Sequence, residues 1–180
     1  MHLTDHFPAI ETIEDPTLRT QVTEAWATAC ADFGIDDLSS VPWFPPAQRE
    51  HDIDGETLVG HVNDVHACAL GLADALDRSR GTDLDRDLLT AGVLVHDLSK
   101  LAEFDGMTDT KVGDLLGHPF YGVHLVARVG LPVEYAHIVL SHTSRTPVAP
   151  AFLEAALIKR ADEAAATAIR ATVLDDLREA

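Results

Sequence analysis

The stretch from Val93 to Leu101 reads VLVHDLSKL, with His96 and Asp97 side by side at the end of an apolar run and Lys100 three residues on. Burying an imidazole and a carboxylate among apolar side chains is costly unless something compensates. A metal ion is the usual compensation. Other candidate ligands fall on apolar faces near helix ends. His61 lies one turn from Leu58 and Val65. His118 precedes Pro119 at a helix start, and His142 ends the segment that carries Ile138 and Val139. Asp162 follows Ile158 by one turn. This set supplies nitrogen and oxygen ligands and no cysteine, which suits Mn, Fe or Zn better than Ca or a structural zinc. The two oxygens of Asp97 could reach two different ions, so a dinuclear site is open to this chain. Lys100 lies on nearly the same helical face as Asp97, and its ammonium can reach over the site.

The elements that would position these residues read as helices. Asp15-Pro16 is a cap followed by a first-turn proline, Gly34 closes that helix, and Leu18, Val22, Trp26 and Ala29 recur between them at helical spacing. Residues 35–55, with VPWFPP at the centre, read as irregular because three prolines forbid a helix interior. Trp43 and Phe44 should pin this loop to the body, as packing or as a lid or substrate wall. An amphipathic helix runs from Glu56 to about Ser79, and Asp83 or Asp85 caps the next, which carries the central stretch. Residues 104–116 read as a loop. Pro119 begins a helix that ends near Gly130, Pro132 starts another reaching about His142, and an alanine-rich helix runs to the C-terminus. No segment alternates with period two long enough for a strand, so the expected class is an all-α bundle.

Composition limits the partners. The 180 residues include 13 basic and 30 acidic side chains, a formal charge of -17. That field repels phosphate backbones, so no nucleic-acid partner is expected. No apolar run is long enough to span a membrane, and the N-terminus lacks a signal pattern. Cys30 and Cys68 sit in apolar segments and read as free thiols. A cytoplasmic location is the expectation. The alanines of the last helix could pack on their own bundle or on a second copy, so a homodimer is open.

The ordered set of six residues, with VHDLSKLAEF, LLGHPFYGVHLV, HIVLSH and EAALIKRADEA around them, resembles the HD-domain superfamily of metal-dependent phosphohydrolases. It is particularly similar to the HD module of bacterial 3′-to-5′ exoribonucleases and also resembles the HD-domain mixed-valent di-iron oxygenases. The likeness spans about His61 to Asp162. It implies a compact HD-domain helical bundle at 56–180; residues 1–55, outside the likeness, read as an N-terminal helix and Pro-rich covering loop of the same structural domain. It further implies that His61, His96, Asp97 and Asp162 hold one ion while Asp97, His118 and His142 hold a second. The pair would be divalent or mixed-valent, iron or manganese first, with no organic cofactor. Lys100 matches the family lysine that contacts an anionic substrate group. Beside it, Arg145, Tyr121 and His124 are candidates for substrate contact. The first expectation is hydrolysis of a small phosphorylated metabolite or nucleotide by a metal-activated bridging hydroxide, with Asp97 and Lys100 central. The alternatives are a di-iron oxygenase cleaving a C–P or C–C bond of a hydroxylated substrate, and a non-catalytic ligand-binding module.

Overall fold

Capping chemistry sets most of the helix boundaries in the computed structural model, which describes residues 2–174. After one turn, α1 (Leu3–His6), and a 3₁₀ turn at Pro8–Thr12, the Asp15 carboxylate accepts from the backbone N–H of Thr17 and Leu18 and starts α2 (Pro16–Phe33). Gly34, at φ +65°, closes it in a conformation that costs a glycine little. The Thr57 hydroxyl accepts from the Gly60 N–H to begin α4 (Leu58–Arg80), and Asp85 does the same for Leu88 at the start of α5 (Arg86–Val95). Next comes α6 (Lys100–Glu103), a single turn. His96 and Asp97 therefore sit in the tight turn between α5 and α6, where the chain bends without leaving the core.

Two segments hold more structure than proline and glycine content foretells. Within 35–55, α3 (Pro45–His51) forms with both prolines in its first turn, where a missing N–H breaks no helical hydrogen bond. Within 104–116, a two-residue antiparallel pair, β1 (Phe104–Asp105) and β2 (Thr108–Asp109), turns at Gly106 and leads into α7 (Lys111–Leu115). Beyond these lie α8 (Gly117–Arg128), α9 (Val133–Ser141) and α10 (Leu153–Arg170). The alanine-rich helix stops at Arg170. Its expected continuation over 175–180 lies outside the described residues.

One apolar core runs through both the N-terminal part and the later helices. Trp26 is fully buried and donates its indole N–H to the Leu94 carbonyl at 2.8 Å, tying α2 to the helix that ends in His96. Helix α5 touches α2, α4, α9 and α10, and the most extensive helix pairing is α4 with α10. That pairing sets His61 opposite Asp162. Ala161 and Ala165 are buried on the bundle side of α10, whereas Ala164 and Ala168 face outward. The covering segment is tied down at both ends. The Trp43 N–H donates to the Glu56 carbonyl at 3.1 Å, and the Leu58 N–H to the Val41 carbonyl at 2.9 Å.

Helices α8 and α9 meet where Gly122 leaves room. A Cβ there would stand 2.5 Å from Val139 Cγ1 and 2.7 Å from Ser99 Oγ, the hydroxyl that holds the His118 carbonyl at 2.6 Å. Gly122→Ala should therefore cost about 1–3 kcal/mol by overpacking. Thermal unfolding would show it, and an unchanged midpoint would refute the close contact.

Candidate metal centre

Four helices and one inter-helix turn bring the six candidate ligands into one cluster. His61 projects from the second turn of α4, and His96 and Asp97 from the turn after α5. His118 comes from the start of α8, His142 from the end of α9, and Asp162 from the middle of α10. All but Asp162 are buried. Two groups emerge, each with its ligand atoms within 4.8 Å of one another: His61, His96, Asp97 and Asp162, and then Asp97, His118 and His142. Asp97 belongs to both. Its Oδ2 lies 3.3 Å from His61 Nε2 and 3.4 Å from His96 Nε2, while Oδ1 lies 3.6 Å from His118 Nε2 and 3.5 Å from His142 Nε2.

The other ring nitrogens fix how these imidazoles face. Nδ1 of His96 lies 2.6 Å from the Val93 carbonyl, and Nδ1 of His142 lies 2.8 Å from the Val139 carbonyl. Nδ1 of His118 lies 2.6 Å from Glu103 Oε2. In all three the Nε2 lone pair is left facing the cluster, the arrangement that metal-bound histidines adopt. His61 Nδ1, His96 Nε2 and Asp97 Oδ1 are buried with no hydrogen-bond partner among the described residues, while Asp97 Oδ2 faces Lys100 at 2.6 Å and His61 Nε2 faces Asp162 Oδ1 at 3.0 Å. Buried polar atoms left in this state are costly. Their nitrogen and oxygen chemistry fits first-row divalent cations.

The electrostatics agree. Burial works against the charge of Asp97, but Lys100 and His96 beside it hold its carboxyl well below the usual range. Asp162 is likewise penalised by burial, yet the His61 hydrogen bond brings its carboxyl down to about 2. Burial pushes the His118 imidazole down from 6.5 to about 4 against the opposing pull of Glu103, so its ring stays neutral. Between these two values the unfolded chain protonates His118 and the folded chain does not. Its contribution to stability is therefore complete above pH 6.5 and lost as pH falls towards 4. The melting midpoint of chelator-treated protein should fall across this window, and should fall less in His118→Gln. Parallel slopes for the two proteins would contradict the assignment.

The substrate-contact candidates divide. Lys100 Nζ lies 2.6 Å from Asp97 Oδ2, and Lys100 and Arg145 both line the cleft of about 110 Å³ that opens over the cluster. Tyr121 and His124 do not line it. Tyr121 packs edge-on against Phe33 at 6.0 Å, and His124 is exposed beside Tyr121. On a helix, three and six residues beyond His118 rotate the side chain by roughly 60° and then 120° away from the cluster face.

Two residues beside the cluster, Glu103 and Arg170, escaped the sequence reading. Glu103, buried at the end of α6, clamps His118 with one oxygen and pairs with Arg145 through the other. Its place three residues beyond Lys100 was the available signal. Trp43, expected to pin its loop as packing or as a lid or substrate wall, presses its ring against His61 at 5.5 Å. Arg170, at the end of α10, reaches the same cleft. Of the remaining histidines, His137 Nε2 accepts from the Ala151 N–H far along α9's other face, and Asp64 is exposed on α4.

Residues 58–167, well over half the chain, match the HD domain. The chain belongs to the HD-domain family. It is 32% identical over 161 residues to dihydroneopterin 2′,3′-cyclic phosphate phosphodiesterase of Methanocaldococcus jannaschii, covering 86% of this chain and 65% of that protein. It is also 31% identical over 134 residues to the 3′-5′ exoribonuclease YhaM of Bacillus licheniformis, covering 66% of this chain and 41% of the relative. The YhaM protein of Bacillus subtilis is 30% identical over the same length. The chain thus spans under two-thirds of the length of these relatives. No solved structure matches it. The HD-domain fold agrees with the all-α reading, and no helix among the described residues is long and apolar enough to cross a membrane.

Proposed function

We propose that this HD-domain chain is a metal-dependent phosphohydrolase acting on a small phosphoester. The observation that carries the reading is the split of the cluster about Asp97, with one carboxylate oxygen turned to each group of histidines. His61, His96, Asp97 and Asp162 would hold one divalent cation, and Asp97, His118 and His142 the other, with iron or manganese the first candidates. Two such ions, when bound, supply Lewis acidity and a water of lowered pKa.

The chain's own groups then have defined tasks. Glu103 holds the proton on His118 Nδ1 and so keeps Nε2 free to ligate. Lys100 meets charge on the phosphoryl oxygens from the rim of the cluster. Trp43 and Phe44, which also pack about Lys100 Nζ at 5.9 and 5.4 Å, form a dry wall that strengthens these interactions. The cleft over the cluster, about 110 Å³, has room for a phosphoryl group. Lys100 also borders a neighbouring cavity of about 310 Å³, walled by Ile35, Ser40, Val41 and Phe104, which has room for the organic remainder of a substrate.

The substrate named for the methanogen relative, a cyclic phosphate of a small metabolite, supports this class of ester. The exoribonuclease relatives share the phosphodiester chemistry, but the charge of -17 supports a small substrate here. Nothing in these relatives' names favours the oxygenase alternative. The test is metal analysis of the purified protein, then release of product from a panel of cyclic and linear phosphoesters with Mn²⁺ or Fe²⁺ added and removed. Absence of metal-dependent turnover across that panel would overturn the reading.

A further inference from the structure

Trp43 is 2% exposed, and its indole Nε1 is buried without a hydrogen-bond partner among the described residues. A buried indole N–H ordinarily finds an acceptor. Two cations also lie over this ring, with Lys100 Nζ 5.9 Å and Arg170 Cζ 5.3 Å from its centroid. Two of the three cations around the cleft already face a carboxylate. Lys100 is paired with Asp97, and Arg145 with Glu103. Arg170 makes only a long hydrogen bond, 3.4 Å from Nη1 to the Ala166 carbonyl, and no ion pair among the described residues. It nonetheless lines the cleft together with Asp97, His118, His142 and Asp162. It stands three residues beyond the end of the HD-domain match at 167.

A basic residue at a helix C-terminus is accounted for in part by the helix dipole. That leaves unexplained both the stacking of this guanidinium over a buried ring and the vacant indole donor of that ring. A planar guanidinium is suited to stack on an aromatic face while its N–H groups engage an oxyanion.

We propose that Arg170 and Trp43 together form an oxyanion-binding subsite at the rim of the metal cleft. The Arg170 guanidinium takes a non-bridging oxygen of a phosphoryl group, and the Trp43 indole N–H is the second donor. That this anion is the substrate's own phosphoryl group rests on the hydrolase reading; the existence of the subsite does not. Contacts of this kind hold ground state and transition state alike, so they act on substrate affinity more than on turnover.

The probe is inorganic phosphate, titrated into the protein as purified while tryptophan emission is read. The chain has only two tryptophans, and Trp26 is sealed against Leu94. Saturable quenching is expected. Arg170→Ala should weaken phosphate binding about tenfold or more, the loss of a charge-assisted hydrogen bond. Arg170→Lys, which keeps the charge at the helix end but not the planar fork, should fall between the two. With a hydrolysed phosphoester, Arg170→Ala should raise KM by a similar factor while kcat stays within about twofold. Metal content, measured in the same samples, should not change. Phosphate affinity in Arg170→Ala within twofold of the parent would overturn the subsite, whatever the activity. Phosphate binding that depends on Arg170 in a protein that hydrolyses no ester would keep the subsite and remove the hydrolase reading.

Discussion

Asp97→Asn should strip both ions from the cluster and reduce phosphoester turnover by at least about 10³-fold, the scale of loss when one member of a catalytic unit is removed. The reasoning is geometric. Each of the other candidate ligands serves one group, so losing any one of them would spare the opposite group. Asp97 serves both through separate oxygens. Asparagine keeps the shape but gives up the charge that offsets two cations, and one of its two ligating oxygens becomes an amide nitrogen. A second cost follows from Lys100, whose ammonium lies 2.6 Å from Asp97 Oδ2 and is itself buried. Removing one partner of a buried pair costs about 3–5 kcal/mol, so circular dichroism and a melting curve must accompany the metal analysis. A folded Asp97→Asn protein that still carried both ions and turned over substrate would refute the shared-carboxylate arrangement.

Lys100→Met should lower kcat by about 10²–10³-fold while leaving the metal content near that of the parent, a loss comparable to that of a charge-stabilising donor. Methionine fills the space of the lysine stem against Trp43 and Phe44, so packing is largely kept. Only the ammonium is lost. Steady-state kinetics paired with elemental analysis separates two roles. A fall in kcat at constant metal content assigns Lys100 to the reacting phosphoryl group. Loss of metal with kcat per bound ion unchanged would make it a structural partner of Asp97.

The legible part of this chain was written in local rules. Asp15 and Asp85 act at helix starts and Gly34 at the end of α2, as their residue types foretell. The six candidate ligands could be singled out because histidine or aspartate on an apolar helical face is a local anomaly. What escaped depends on distant parts of the chain returning to one place. Glu103 looks like any acidic residue until α8 brings His118 beside it, and Arg170 looks like a helix-end cation until the covering segment lays Trp43 beneath it. Tyr121 and His124 illustrate the reverse error. They are near His118 in sequence, but helical rotation carries them towards Phe33 and the solvent. The prolines of VPWFPP misled for a related reason, since Pro45 and Pro46 occupy the one turn of a helix that needs no N–H from them.

The tethering of the covering segment has a mechanical consequence. Trp43 and Leu58 exchange backbone hydrogen bonds with Glu56 and Val41, so the aromatic wall is stitched to the first turn of the helix that carries His61. Gln48 adds a stitch from within α3, its amide donating to the carbonyls of Ile53 and Glu56. To swing aside as a hinged flap, this wall would have to break those bonds while pulling a buried indole out of contact with the metal-cluster imidazole. The aromatic side of the cleft is therefore built as a fixed wall, while the Arg145 guanidinium on its rim stays exposed.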